Sequence, residues 1–177
     1  RLMIIGSTLN DLVNSSLVEN VNPAPSEALL NASWIKPGRA VWSWWKANNT
    51  LVSDQTPYMN AAVTLGFEYI LWDEGWESWS TTDLNNLLQT AKSKNLGVWL
   101  WKKYSTMSTA AQRTTFYNFI DTKNATLGKK VIVGMKLDFM NSEAQNIIQW
   151  YEAVMQETAA RQFMVNFHGA GKPTGLD

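Results

Sequence analysis

One period organises this chain. Apolar, strand-like runs lie at Ala40–Trp45, Tyr69–Trp72, Gly97–Trp101, Val131–Asp138 and Phe163–Phe167, with starts about 30 residues apart, the length of a βαβ unit. Helical patterns fill the gaps. Pro57–Leu65 reads as a short helix. Thr82–Asn95 reads as a helix capped by Thr81 or Thr82, with Leu84, Leu87, Leu88 and Ala91 on one face. Ser108–Thr122 turns Phe116, Phe119 and Ile120 inward, and Ser142–Ala160 presents Ile147, Ile148, Tyr151, Val154 and Met155 to the sheet. Strands and helices in strict alternation imply a parallel sheet with right-handed crossovers. Trp-rich strands with polar C-terminal ends point to an α/β fold of the (β/α)8 TIM-barrel type, whose active sites sit at those ends. Only about five β/α units are visible where a closed barrel has eight. The expectation is a partial barrel within a larger catalytic domain. A five-stranded open sheet is the alternative, but Gly169, Gly171 and Gly175 lack the spacing of a phosphate-binding loop.

Residues 1–30 differ from the rest. Arg1–Ser7 has the makings of a strand, Asn10–Asn22 is polar with scattered Leu and Val, and Pro23 and Pro25 break it. The reading is a linker segment at 1–30 followed by the barrel portion at 31–177. The 177 residues carry equal numbers of acidic and basic side chains and no cysteine. Zero net charge gives no electrostatic footprint for nucleic acid or an anionic membrane surface. The absence of Cys excludes disulfides and thiol chemistry. No apolar run approaches the roughly 20 residues of a membrane span.

Tryptophan is the compositional outlier, with ten residues of which nine fall between Trp34 and Trp101. A buried indole N–H needs a partner, so core packing alone seldom selects so many. Flat rings suit the apolar faces of sugars. Trp42, Trp44, Trp45, Trp72, Trp76, Trp79, Trp99 and Trp101 cluster at strand ends.

Polar residues gather at the same ends. The fourth run places Lys136 and Asp138 two apart, hence on one face of a strand. Burying charges costs several kcal/mol unless they are partnered, so the pair is either a structural ion pair or part of a site. The second run ends in Trp72-Asp73-Glu74-Gly75-Trp76, two carboxylates between two Trp residues, a set suited to binding sugar hydroxyls through charge-assisted hydrogen bonds. Within the transition from strand to loop at least one of Trp72 and Trp76 should face away from the cleft. The third ends in Trp101-Lys102-Lys103, of which one lysine should point inward. The fifth ends in Asn166-Phe167-His168-Gly169 and holds the only His of the chain.

These motifs in this order carry a resemblance. Trp34-Ile35-Lys36-Pro37-Gly38-Arg39, Trp42-Ser43-Trp44-Trp45, Trp72-Asp73-Glu74-Gly75-Trp76, Lys136-Leu137-Asp138-Phe139, Asn166-Phe167-His168-Gly169-Ala170 and Lys172-Pro173-Thr174-Gly175-Leu176 resemble glycoside hydrolase family 97 over nearly the whole chain. The resemblance implies a bacterial enzyme, of a family common in gut Bacteroidetes and active in the periplasm or outside the cell. Its (β/α)8 barrel follows an N-terminal β-sandwich, whose exit residues 1–30 resemble, and precedes a C-terminal β domain, and it uses calcium near the active site. It implies cleavage of α-glucosides or α-galactosides. Retaining members carry an Asp at the fourth strand end and no carboxylate after the fifth-strand His. Asp138 and Gly169 fit that type, which is associated with α-galactosidase activity. By the resemblance Asp138 is the nucleophile, and Lys136 pairs with it and binds a sugar hydroxyl. Asp73, Glu74, Trp72, Trp76, Trp101, Lys102, Asn166 and His168 complete the substrate site. The family's acid/base Glu and main calcium ligands lie beyond the Pro-Thr-Gly-Leu motif, so this chain alone is expected to be inactive, with the remaining domains of the parent chain as its partners.

Three other readings are weighed against it: an inverting or retaining α-glucosidase of the same family, a non-catalytic carbohydrate-binding module, and a metal-dependent barrel hydrolase. The strand–helix alternation argues against a β-sandwich module, and a single His argues against a multi-His metal site.

Overall fold

The computed structural model describes residues 2–21, 24 and 26–170. The motif Lys172–Leu176 lies outside them. The chain divides into a unit containing residues 1–33 and a larger unit at 34–170. In the first, short helices α1 (Leu9–Val13), α2 (Leu17–Val21) and α3 (Glu27–Leu30) are present. Of the strand expected across residues 1–7, the described residues 2–7 form none: they have no sheet partner and adopt no regular structure. Thr8 instead closes a capping box with Asp11 and starts α1.

The larger unit follows the repeat: β1 (Ala40–Trp42), α4 (Trp44–Ala47), α5 (Val52–Leu65), β2 (Tyr69–Trp72), α6 (Thr81–Ser93), β3 (Gly97–Lys103), α7 (Ala110–Leu127), β4 (Ile132–Asp138), α8 (Gln145–Ala160) and β5 (Met164–His168). The five strands are all parallel and pair in sequence order. This is the arrangement of a partial (β/α)8 barrel. Its convex face packs on the helices, with Ile70, Val98, Leu100, Ile132, Met135 and Leu137 fully buried. Its concave face carries Trp42, Leu71, Trp99 and Met164 half-buried. Gly134 permits this layer to close, since a Cβ there would lie 2.7 Å from the Trp99 ring.

Local chemistry sets the helix ends. Ser80 caps α6 by accepting from the Asp83 N–H at 3.0 Å, one residue before the expected cap. The predicted face of α6, Leu84, Leu87, Leu88 and Ala91, is buried as expected. Thr109 and Gln112 form a capping box on α7, which runs on to Leu127 before Gly128 ends it at φ 62°. Helix α5 begins at Val52 and carries Pro57 within it, so the proline does not mark its start as expected.

Two expectations fail in detail. The first strand stops at Trp42 rather than Trp45, because Ser43 turns into α4. The buried face of α8 is Ile147, Trp150, Val154 and Thr158, while Ile148 and Met155 are exposed. Trp150 rotates that face: its indole donates to the Met107 carbonyl at 2.8 Å, and its ring packs edge-on against Tyr104 and Phe167. Among the described residues no helix is long and apolar enough to cross a membrane.

Candidate active site

The C-terminal ends of the strands converge on an open cavity of about 270 Å³, just below the usual range for small-molecule sites. Strand parity decides which side chains reach it. The register aligns Trp101 with Lys136 and Asn166, and Lys103 with Asp138 and His168. With a period of two, these residues share the concave face. Asp73 follows β2 on that face, so Trp72, one residue earlier, points to the helices.

Asp138 ends β4 and is 7% exposed. Its Oδ2 faces the Trp101 indole N–H at 3.3 Å, His168 Nδ1 at 3.1 Å and Lys136 Nζ at 3.7 Å. Its Oδ1 accepts from the backbone N–H of Phe139 at 2.8 Å. Asp73 is 3% exposed. Its Oδ2 accepts from Lys136 Nζ at 2.7 Å and the Trp42 indole at 2.7 Å, and its Oδ1 from the Glu74 N–H at 2.7 Å. Lys136 Nζ also lies 4.7 Å from the centre of the Trp42 ring. Two buried carboxylates therefore share one buried ammonium.

Asp73, Glu74, Trp101, Lys136, Asp138 and His168 all line the cavity. Four other expected residues do not. Trp72 is fully buried against Trp79 on the helix side. Trp76 donates its indole N–H to the Trp101 carbonyl at 2.8 Å and packs on Phe116 and Phe119 of α7. Both tryptophans of the pair thus face away, where at least one was expected to. Lys102 is the outward lysine: it pairs with Glu77 and lies 5.0 Å from the Phe116 ring centre. Lys103 takes the concave side, 5.6 Å from the Phe139 ring centre. Asn166 has the concave parity but is exposed and off the cavity wall.

The cavity also takes Trp42, Trp44, Trp45 and Phe139, none of which was assigned to the site from sequence. The Trp42-Ser43-Trp44-Trp45 run was the available signal. Trp42 and Trp44 stack with centres 6.0 Å apart, and Trp45 is tilted against Trp42 at 5.6 Å. Phe139 ends the Lys136-Leu137-Asp138-Phe139 motif, but its residue type does not mark it as a wall of the site.

Calcium finds no fit in this set. Among the described residues no three His, Cys, Asp or Glu side chains assemble to hold a metal. The buried Asp oxygens are directed at an ammonium and at N–H donors, whereas calcium takes six to eight oxygens.

A barrel-type α/β fold with paired carboxylates and aromatic walls at its strand ends has the construction of a carbohydrate-processing site. Comparison with known proteins agrees: residues 41–177 match the family model described as Glycoside hydrolase 97, and the chain belongs to that family. It is 29% identical over 99% of its length to a probable retaining alpha-galactosidase of Streptomyces bingchenggensis. It is 29% identical over its whole length to a retaining alpha-galactosidase of Bacteroides thetaiotaomicron. The chain spans 28% of the length of each of these relatives. A crystal structure of a beta-arabinopyranosidase superposes with a TM-score of 0.67 at 26% identity, covering 78% of this chain and 23% of that one.

Proposed function

We propose that this chain supplies the nucleophile side of a retaining α-glycosidase site, with an α-galactoside as substrate. One observation carries the reading: Asp138 is buried at the end of β4, at the cavity wall, with Oδ1 held by the Phe139 N–H and Oδ2 by the Trp101 indole N–H. The names of the two relatives support the stereochemical class and the sugar.

In this reading Asp138 attacks the anomeric carbon while the bond to the leaving oxygen breaks, forming a β-glycosyl ester. A proton reaches the leaving oxygen from a general acid supplied outside the described residues. Water then cleaves the ester, gives its proton to that same group and restores the Asp138 carboxylate. Lys136 holds Asp73 and Asp138 at fixed separation. Asp73, with three donors already directed at it, is a hydroxyl acceptor rather than the acid. The stacked tryptophans offer apolar faces to the sugar ring. Calcium, by this account, is held by residues other than these.

Asp138→Gly in the whole protein that contains this chain tests the proposal. Turnover of an aryl α-galactoside should fall by several orders of magnitude, since covalent catalysis is lost. Azide should restore part of it by entering the vacated space and leave a β-galactosyl azide. Near-normal turnover by the variant would remove Asp138 from the role. A parallel panel of α-glucoside and β-arabinopyranoside tests the sugar.

A further inference from the structure

The residue after the proposed nucleophile has an unusual backbone. Phe139 sits at φ 64°, in the left-handed region, which a bulky side chain enters only when its surroundings impose it. Glycine would adopt this conformation freely, yet an aromatic residue occupies it. Its N–H, which this torsion does not move, donates to Asp138 Oδ1 at 2.8 Å, as the Glu74 N–H does to Asp73 Oδ1. The ring turns back edge-on to Trp101, centres 6.4 Å apart and planes at 80°. Trp101 in turn directs its indole N–H to Asp138 Oδ2 at 3.3 Å. Lys103 Nζ lies 5.6 Å from the Phe139 ring centre. Phe139 thus touches the carboxylate from both sides, through its own N–H and through the tryptophan it braces.

We infer that Phe139 is a positioning residue. Its ring braces the Trp101 indole, whose N–H is directed at Asp138 Oδ2, and so helps fix the plane of the Asp138 carboxylate for attack. Without the ring, Trp101 loses that edge-on contact and Oδ2 loses its fixed donor. The inference rests on the proposed role of Asp138 as nucleophile.

The test is a series at one position in the whole protein: Phe139→Tyr, Phe139→Ala and Phe139→Gly. Alanine and glycine both lack the ring, but glycine tolerates positive φ. Phe139→Gly should therefore melt higher than Phe139→Ala. Turnover should not follow that order. Both variants should lose about a hundredfold in kcat, the effect of a misplaced reacting group, with KM changed less than threefold by the same reasoning. Phe139→Tyr, which keeps the ring, should retain kcat. A kcat that tracks melting temperature, or stays normal in properly folded Phe139→Ala, overturns the inference. So does a rise in KM at constant kcat, which would make the ring a substrate contact. The underlying reading fails separately: Asp138→Gly with normal turnover and no azide product removes the nucleophile itself, whatever Phe139 does.

Discussion

Removing the ammonium of Lys136 while keeping its bulk tests the electrostatic core of the site. In Lys136→Met the side chain still fills the space beside Trp42, but Asp73 and Asp138 lose their shared cation. All three side chains are nearly inaccessible, at 6%, 4% and 10% exposure. Breaking a buried pair costs about 3–5 kcal/mol, because it strands an uncompensated charge. Here each carboxylate keeps other donors: Trp42 and the Glu74 N–H for Asp73, Trp101 and the Phe139 N–H for Asp138. The expected loss is therefore at the lower end, about 3 kcal/mol. With a urea slope of about 2 kcal/mol per M, the unfolding midpoint should fall by about 1.5 M. Tryptophan fluorescence gives the assay. Adding Asp73→Asn to Lys136→Met removes one stranded charge and should raise the midpoint above that of Lys136→Met alone, a non-additivity expected only between interacting partners. A fall below about 0.3 M in the single variant, or strict additivity in the double, would refute the shared-ammonium account.

Two further expectations concern the frame. Tyr117 is fully buried, with no hydrogen-bond partner for its hydroxyl among the described residues, and burial, with the Glu157 carboxylate adding, pushes its phenol well above the ordinary range. A raised folded-state value means this stability is complete below the unfolded value of about 10 and is lost as pH rises above it. Guanidinium unfolding at pH 9 and 11 should thus show a smaller alkaline loss for Tyr117→Phe than for wild type, with little difference at pH 7. In Gly134→Ala the new Cβ would meet the Trp99 ring at 2.7 Å. Overpacking of this kind costs about 1–3 kcal/mol, so thermal melting should drop clearly, and an unchanged melting temperature would show that Trp99 moves freely.

Much of the architecture was legible because one signal repeats. Parallel strands buried by helices read as apolar runs at βαβ spacing, and every run forms a strand in the expected order. Lys136 and Asp138 were placed on one face by period two alone, and the structure keeps them there. The same rule, applied to Asp73, sends Trp72 to the helix side; grouping Trp72 and Trp76 with Asp73 and Glu74 as site residues overrode it. Period two from Trp101 selects Lys103 over Lys102, and taking Trp101 and Lys102 together as site residues broke it. The face of α8 was misjudged because Ile148 and Met155 are as apolar as their neighbours, and the choice falls to Trp150 finding the Met107 carbonyl. The left-handed backbone of Phe139 leaves no trace in residue type, since glycine or asparagine is the ordinary signature of that conformation.

The stereochemistry of the first product tests the central claim most directly. Proton NMR during early hydrolysis of an α-galactoside by the whole protein, before mutarotation mixes the anomers, reads the configuration at the anomeric carbon. Attack by Asp138 followed by water inverts twice, so α-galactose should appear first. Initial release of β-galactose would mean a single displacement by water, and would contradict the assignment of Asp138 as nucleophile.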